Sequence, residues 1–192
     1  MEPTLPCLFF DYVDPLSYLV DRELAAVGPA GALAGLRRVP LELRPPPSPL
    51  LDPDAPEWRD RWSLAEQVAR GLGVRLALPS LVPWTRKAHE LVLHAEARGV
   101  GDVAHRAVFE AVFGRGWDVG RVDVLVALAK ELGLDATEAK AVLDVDRYAS
   151  EVAAGRGLAA GLGVAGSPAL ASRQGVLQGF HNRDALRTFL LR

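Results

Sequence analysis

The sequence predicts an α/β protein in which a βαβ unit and a ββα unit are separated by a large all-helical insertion. Three observations carry this prediction. An apolar, aromatic run, Cys7-Leu8-Phe9-Phe10-Asp11-Tyr12-Val13, leads into Asp14-Pro15 and a helical pattern. A long series of helical patterns then fills 57–162. Two short apolar runs around Gln174-Gly175 and one more helical pattern close the chain.

Residues 7–13 read as a buried strand because the run is short, apolar and aromatic. Asp14 then stands as an N-cap with Pro15 at the first helical position, a favoured pairing. Leu16, Leu19, Val20, Glu23 and Leu24 recur at helical spacing, so this helix runs to about Val27, and Gly28-Pro29 ends it. Residues 36–43 alternate and read as a second strand. Pro40 has no amide donor, which predicts an edge strand or a bulge there. Parallel pairing of these two strands needs the crossover helix between them. Residues 45–56 carry Pro45, Pro46, Pro47, Pro49, Pro53 and Pro56 and form a stiff connecting loop.

Within the helical block the patterns predict helices over 57–71, 84–98, 101–113, 120–133, 135–143 and 146–162. Asp135 followed by Glu138 resembles a capping box with Asp in place of Ser or Thr. Residues 169–172 and 176–179 read as a hairpin. Asn182 can cap a last helix over 183–191. No internal repeat is present.

The 192 residues suit a single domain, 1–192, with 57–162 as a helical insertion within it. Hydrophobic content of 49% and a net charge of -2 describe an ordinary globular chain. They give no electrostatic case for nucleic acid or an anionic membrane as partner. Arginine outnumbers lysine and isoleucine is absent, which reads as genomic composition bias. The single cysteine, Cys7, cannot form an internal disulfide or an intramolecular dithiol. No secretory leader pattern opens the chain, and no apolar run approaches the roughly 18 residues of a membrane span. A cytoplasmic location is therefore expected.

Several motifs together resemble one family. Phe10-Asp11-Tyr12-Val13-Asp14-Pro15-Leu16-Ser17-Tyr18-Leu19 is similar to a strand, active-site turn and helix start. Trp84-Thr85-Arg86-Lys87-Ala88-His89-Glu90-Leu91 is similar to an N-T-x-x-A-H-x-L helix start. Gly163-Val164-Ala165-Gly166-Ser167-Pro168 matches a G-V-x-G-x-P loop, and Gln178-Gly179 matches the ending before the last helix. By these residues the chain resembles the DsbA-like thioredoxin superfamily. Within it, the resemblance is to the FrnE-like, 2-hydroxychromene-2-carboxylate isomerase and kappa-class glutathione transferase branch.

The resemblance implies a thioredoxin-like fold, an oxidoreductase or isomerase label, a cis-proline loop at Ser167-Pro168, and glutathione, with no metal, as cofactor. It also implies a small-molecule thiol or a peptide as partner and a homodimer, as in the glutathione-using relatives. The chain departs from the redox pattern where it matters most. Asp14 and Ser17 stand at the positions of the two cysteines. Dithiol–disulfide exchange needs a thiolate there, so two main functions stay open, with monothiol chemistry at Cys7 as a weaker third. One is a glutathione- or thiol-dependent isomerase or transferase. The other is a non-catalytic module that binds a peptide or protein.

The candidate catalytic residues are Asp14 and Ser17. Asp14 reads either as an N-cap or as a general base that a helix N-terminus weakens. It would repel a glutathione thiolate. The Ser17 hydroxyl either meets a ligand thiol or bonds back within the first turn. Ser167 and Pro168 are the candidate ligand-binding pair, presenting backbone to a peptide or to glutathione as a short strand addition. His89, His181 and Asn182 join them through the resemblance, although Asn182 also reads as a plain cap. Trp58, Trp62 and Trp84 read as core or as cleft lining. Cys7 reads as a small buried hydrophobe. The histidines show no zinc spacing.

Overall fold

The computed structural model describes residues 5–27, 35–77, 79 and 81–191. Four strands and eight helices follow in the order β1 (Cys7–Phe10), α1 (Pro15–Val27), β2 (Arg37–Pro40), α2 (Pro56–Leu72), α3 (Arg86–Glu96), α4 (Gly101–Phe113), α5 (Val122–Glu131), α6 (Ala136–Asp144), α7 (Ala149–Gly161), β3 (Ala169–Ser172), β4 (Gly175–Gln178) and α8 (Arg183–Leu191). The chain divides into two compact units. Met1–Leu43 with Ala153–Arg192 forms the first, and Arg44–Val152 forms the second. The expected insertion, 57–162, therefore gives most of α7 to the first unit. Among the described residues, no helix is long and apolar enough to cross a membrane.

The first unit holds one sheet in the order β2-β1-β3-β4. β1 runs parallel to β2, with Phe9 opposite Val39 and Phe10 opposite Pro40. It runs antiparallel to β3, with Phe9 opposite Ala169 and Cys7 opposite Ala171. β3 and β4 form the predicted hairpin. β1 is central, which is why all four of its residues are buried. Alternation along the strand sends Cys7 and Phe9 to one face, where they pack with Val39, Ala169, Ala171, and Ala159 of α7.

β2 is an edge strand, and this explains Pro40. The N–H of Leu41, beyond the strand, donates to the Phe10 carbonyl at 2.8 Å. Proline at 40 thus sits where the ladder asks no donor of it. α7 lies close against this end of the strand, and a Cβ on Gly155 would come within 2.0 Å of the Pro40 carbonyl oxygen. The strand stops at Pro40 rather than at 43 because, after the Leu41 bond to Phe10, the chain leaves the ladder. The Leu43 N–H donates to the Asp11 carboxylate at 2.6 Å.

Among the described residues, the regular structure of the second unit is helical apart from an isolated bridge between Leu51 and Val82. Trp58 and Trp62 are buried, their rings 6.4 Å apart. Trp62 also lies 6.3 Å from Phe113 of α4. These two residues are core, whereas Trp84 is 40% exposed and donates its indole N–H to the Ser48 carbonyl. That places Trp84 before α3, which begins two residues later than the pattern predicts. Asp135 caps α6 by accepting from the Glu138 N–H at 2.8 Å, as the motif predicts. α7 starts at Ala149 rather than 146 because Asp146 takes a left-handed conformation, φ 53°, and pairs with Arg86 and Lys87. The expected helix stop at Gly28-Pro29 lies outside the described residues.

Candidate functional site

β1 ends at Phe10, and the chain turns so that the Asp14 N–H donates to the Asp11 carbonyl at 3.1 Å. α1 then begins with Asp14 as its cap. The Asp14 Oδ1 accepts from the Leu16 N–H at 3.1 Å, the bond an N-cap makes to the second helical residue. The carboxylate does more than cap. Its Oδ2 accepts from the Ser17 hydroxyl at 2.5 Å and from the Ser167 hydroxyl at 3.0 Å. Asp14 and Ser17 are wholly buried, and Ser167 is nearly so. One carboxylate thus ties the start of α1 to the loop before β3.

That loop is held from its other side by Gln178. Its amide nitrogen donates to the Gly166 carbonyl at 2.7 Å and to the Pro168 carbonyl at 3.2 Å. Its amide oxygen accepts from the Ala165 N–H at 3.2 Å. The Gly179 N–H adds a bond to the Pro168 carbonyl at 2.8 Å. The Ser167–Pro168 peptide bond is cis. Beside the loop, Ala165, Gly166 and Ser167 line a cleft of about 250 Å³, with Leu41–Leu43 and the last turns of α7 as its other walls.

Among the sequence-predicted residues, Asp14, Ser17, Ser167 and Pro168 are brought together. His181 accepts or donates at 3.1 Å with the Gln178 carbonyl, so it adjoins the residue that clamps the loop. Asn182 caps α8 by accepting from the Ala185 N–H at 3.1 Å. The adjacent Arg183 N–H is taken by Glu23 of α1 at 2.7 Å. His89 lies buried on α3 in the helical unit. His94 and His105 are also buried there. Burial, with the nearby Arg98, pushes His94 below the ordinary histidine pKa. Cys7 is fully buried, and burial pushes its thiol up, which disfavours the reactive thiolate. Among the described residues, no three His, Cys, Asp or Glu side chains gather to hold a metal ion.

Two contributors escape sequence reasoning. Gln178 stood out only as part of an ending motif, and its role depends on β4 lying against the loop. For Ser167 the sequence points to the backbone and not to the hydroxyl. Its partner, Asp14, is far away in sequence and adjacent only once β1 and β3 pair.

A βαβ–ββα sheet with a helix entry facing a cis-proline loop defines a thioredoxin-like protein, here with a carboxylate and hydroxyls in place of a redox dithiol. The family model of the DSBA-like thioredoxin domain matches residues 7–190. The chain is 32% identical over 145 residues to the uncharacterized protein YwbO of Bacillus subtilis (strain 168), covering 73% of this chain and 72% of that one. It belongs to the DSBA-like thioredoxin family.

Solved structures share its fold. The probable DsbA oxidoreductase SCO1869 of Streptomyces coelicolor matches with a TM-score of 0.79 at 22% identity, over 98% of this chain and 88% of that one. The cytosolic disulfide reductase DsbM of Pseudomonas aeruginosa matches with a TM-score of 0.71 at 21% identity, over 97% and 96%, and has also been solved with GSH. A 2-hydroxychromene-2-carboxylate isomerase matches with a TM-score of 0.69 at 20% identity, over 97% and 91%.

Proposed function

We propose that this chain is a redox-inactive DsbA-family protein that binds a small thiol or peptide ligand along the Ala165–Ser167 edge. One observation carries the reading. The carboxylate of Asp14 holds the hydroxyls of both Ser17 and Ser167, in the place where a dithiol would act. Disulfide exchange proceeds through a mixed disulfide that needs a thiolate. The chain's one thiol, Cys7, is buried on β1. Meanwhile the loop beside Ser167 lines an open cleft, and backbone at such a loop can take an extended ligand by strand-like hydrogen bonding.

A second reading is supported by the likeness to 2-hydroxychromene-2-carboxylate isomerase and to DsbM, which has been solved with GSH. Here the chain is a glutathione-dependent isomerase or transferase, and the bound thiol supplies the nucleophile. Asp14 speaks against it, because a carboxylate repels a thiolate brought to the same helix entry. A cytosolic location goes with both readings.

Calorimetry and thermal shift with glutathione and S-methylglutathione test the proposal, on the native chain and on Pro168→Ala. At 100 times its dissociation constant a ligand stabilises the fold by about 2.7 kcal/mol. Equal saturable binding of both, lost in Pro168→Ala and without turnover, is the expected result. Binding of glutathione alone, with turnover of a 2-hydroxychromene-2-carboxylate, would favour the isomerase. No binding of either at millimolar concentration would overturn both readings.

A further inference from the structure

The cleft beside the loop carries a cation. Arg156, on the exposed side of α7, lines it together with Glu42, Ala160 and Ser167. Its guanidinium donates to the Glu42 main-chain carbonyl at 2.6 Å. This bond fixes the head group across the wall formed by the residues after β2. A guanidinium has five N–H donors, and a single carbonyl engages one of them. Most arginines and lysines with a fixed place on this surface face a carboxylate instead: Arg59 meets Asp54, Arg115 meets Glu131, and Arg121 meets Asp123. Arg156 meets none among the described residues. A planar fork held by one tooth, over a small-residue floor, is suited to bidentate pairing with a carboxylate.

We infer that Arg156 anchors a ligand carboxylate in this cleft, so that the ligand is a short peptide-like acid whose main chain runs along Ala165–Ser167. The inference rests on the binding function proposed above and names the chemical class of its ligand. The small side chains of Ala160, Ala165 and Gly166 leave room for a narrow backbone rather than a bulky ring. At about 250 Å³ the cleft admits one or two residues, with the remainder of the ligand outside it. The half-buried Glu42 lines the same wall.

The test compares glutathione with glutathione diethyl ester on the native chain, on Arg156→Gln and on Arg156→Lys. Native protein is expected to bind the acid at least tenfold more tightly than the ester, with affinity for the acid falling as salt rises. Arg156→Gln should lose both the preference and the salt dependence while binding the ester as before. Arg156→Lys should keep part of the salt dependence. Arg156 is exposed and, among the described residues, bonds one carbonyl, so unchanged melting of the variants is the check on folding. Native protein that binds acid and ester alike, or Arg156→Gln that binds the acid as the native chain does, would overturn the anchor and leave the binding function standing. Native protein that binds neither compound would overturn both.

Discussion

Replacing Asp14 by alanine removes the acceptor that joins the α1 entry to the Ser167 loop, and the loss can be worked out from its partners. The capping bond to Leu16 is worth about 1 kcal/mol. The Ser17 and Ser167 hydroxyls are both buried, and each loses its acceptor. A buried polar group left unsatisfied costs about 1–3 kcal/mol. A hydroxyl can rotate toward a nearby carbonyl, which puts each at the lower end. The expected destabilisation is about 3–5 kcal/mol, a fall in melting temperature of about 10 °C. Urea unfolding followed by far-UV circular dichroism measures it. Tryptophan fluorescence is a useful second probe, because Trp58, Trp62, Trp84 and Trp117 all lie in the Arg44–Val152 unit. The double-mutant cycle with Ser167→Ala isolates the cross-loop bond, with an expected coupling of about 1–2 kcal/mol. A loss below about 1 kcal/mol, or additivity of the two substitutions, would refute the view of Asp14 as the tie between these segments.

Glycines of α7 give a contrast within one helix. Gly155→Ala must push against the Pro40 carbonyl and is expected to destabilise by about 2 kcal/mol despite alanine's better helix propensity. Gly157→Ala meets nothing within 4 Å and is expected to stabilise by about 1 kcal/mol; denaturant midpoints read both. Gln178→Ala removes three bonds to the loop, so amide exchange should quicken at Ala165 while β1 stays protected.

His94 titrates below its ordinary value because it is buried and near Arg98, so its contribution to stability is present above about pH 6.5 and is lost as pH falls. Glu90, pushed up mainly by burial, has the opposite sign, its contribution fading as pH rises above the usual carboxylate range. The acid-side loss in native protein should therefore exceed that in His94→Gln, read by tryptophan fluorescence at pH 7.5 and 5.5. Equal losses would remove His94 from the account.

Local pattern was enough for most elements. A short, apolar and aromatic run marks β1, the Asp14-Pro15 pair marks the start of α1, and Asp135 and Asn182 mark caps that form as written. Caps and periodicity depend on residues within a turn of one another, so a sequence displays them directly. Pro40 on an edge strand was legible for the same reason: a missing donor is a property of the residue itself. The replacement of the dithiol by Asp14 and Ser17 was likewise plain, because position in a motif needs no third dimension.

Boundaries set by distant partners were not legible. β2 ends early because Leu43 bonds to the Asp11 side chain, and α7 starts late because Asp146 is held by Arg86 and Lys87. The Asp14–Ser167 bond, the Gln178 clamp and the fixing of Arg156 on the Glu42 carbonyl all join residues well beyond one helical turn of each other in the chain, unlike the Ser17–Asp14 bond, which lies within the first turn. The sequence determined which side chains were available and how each segment would coil or extend. Only tertiary structure decided which of them meet, because hydrogen-bond partnership depends on a few tenths of an ångström across elements whose pairing no local pattern encodes.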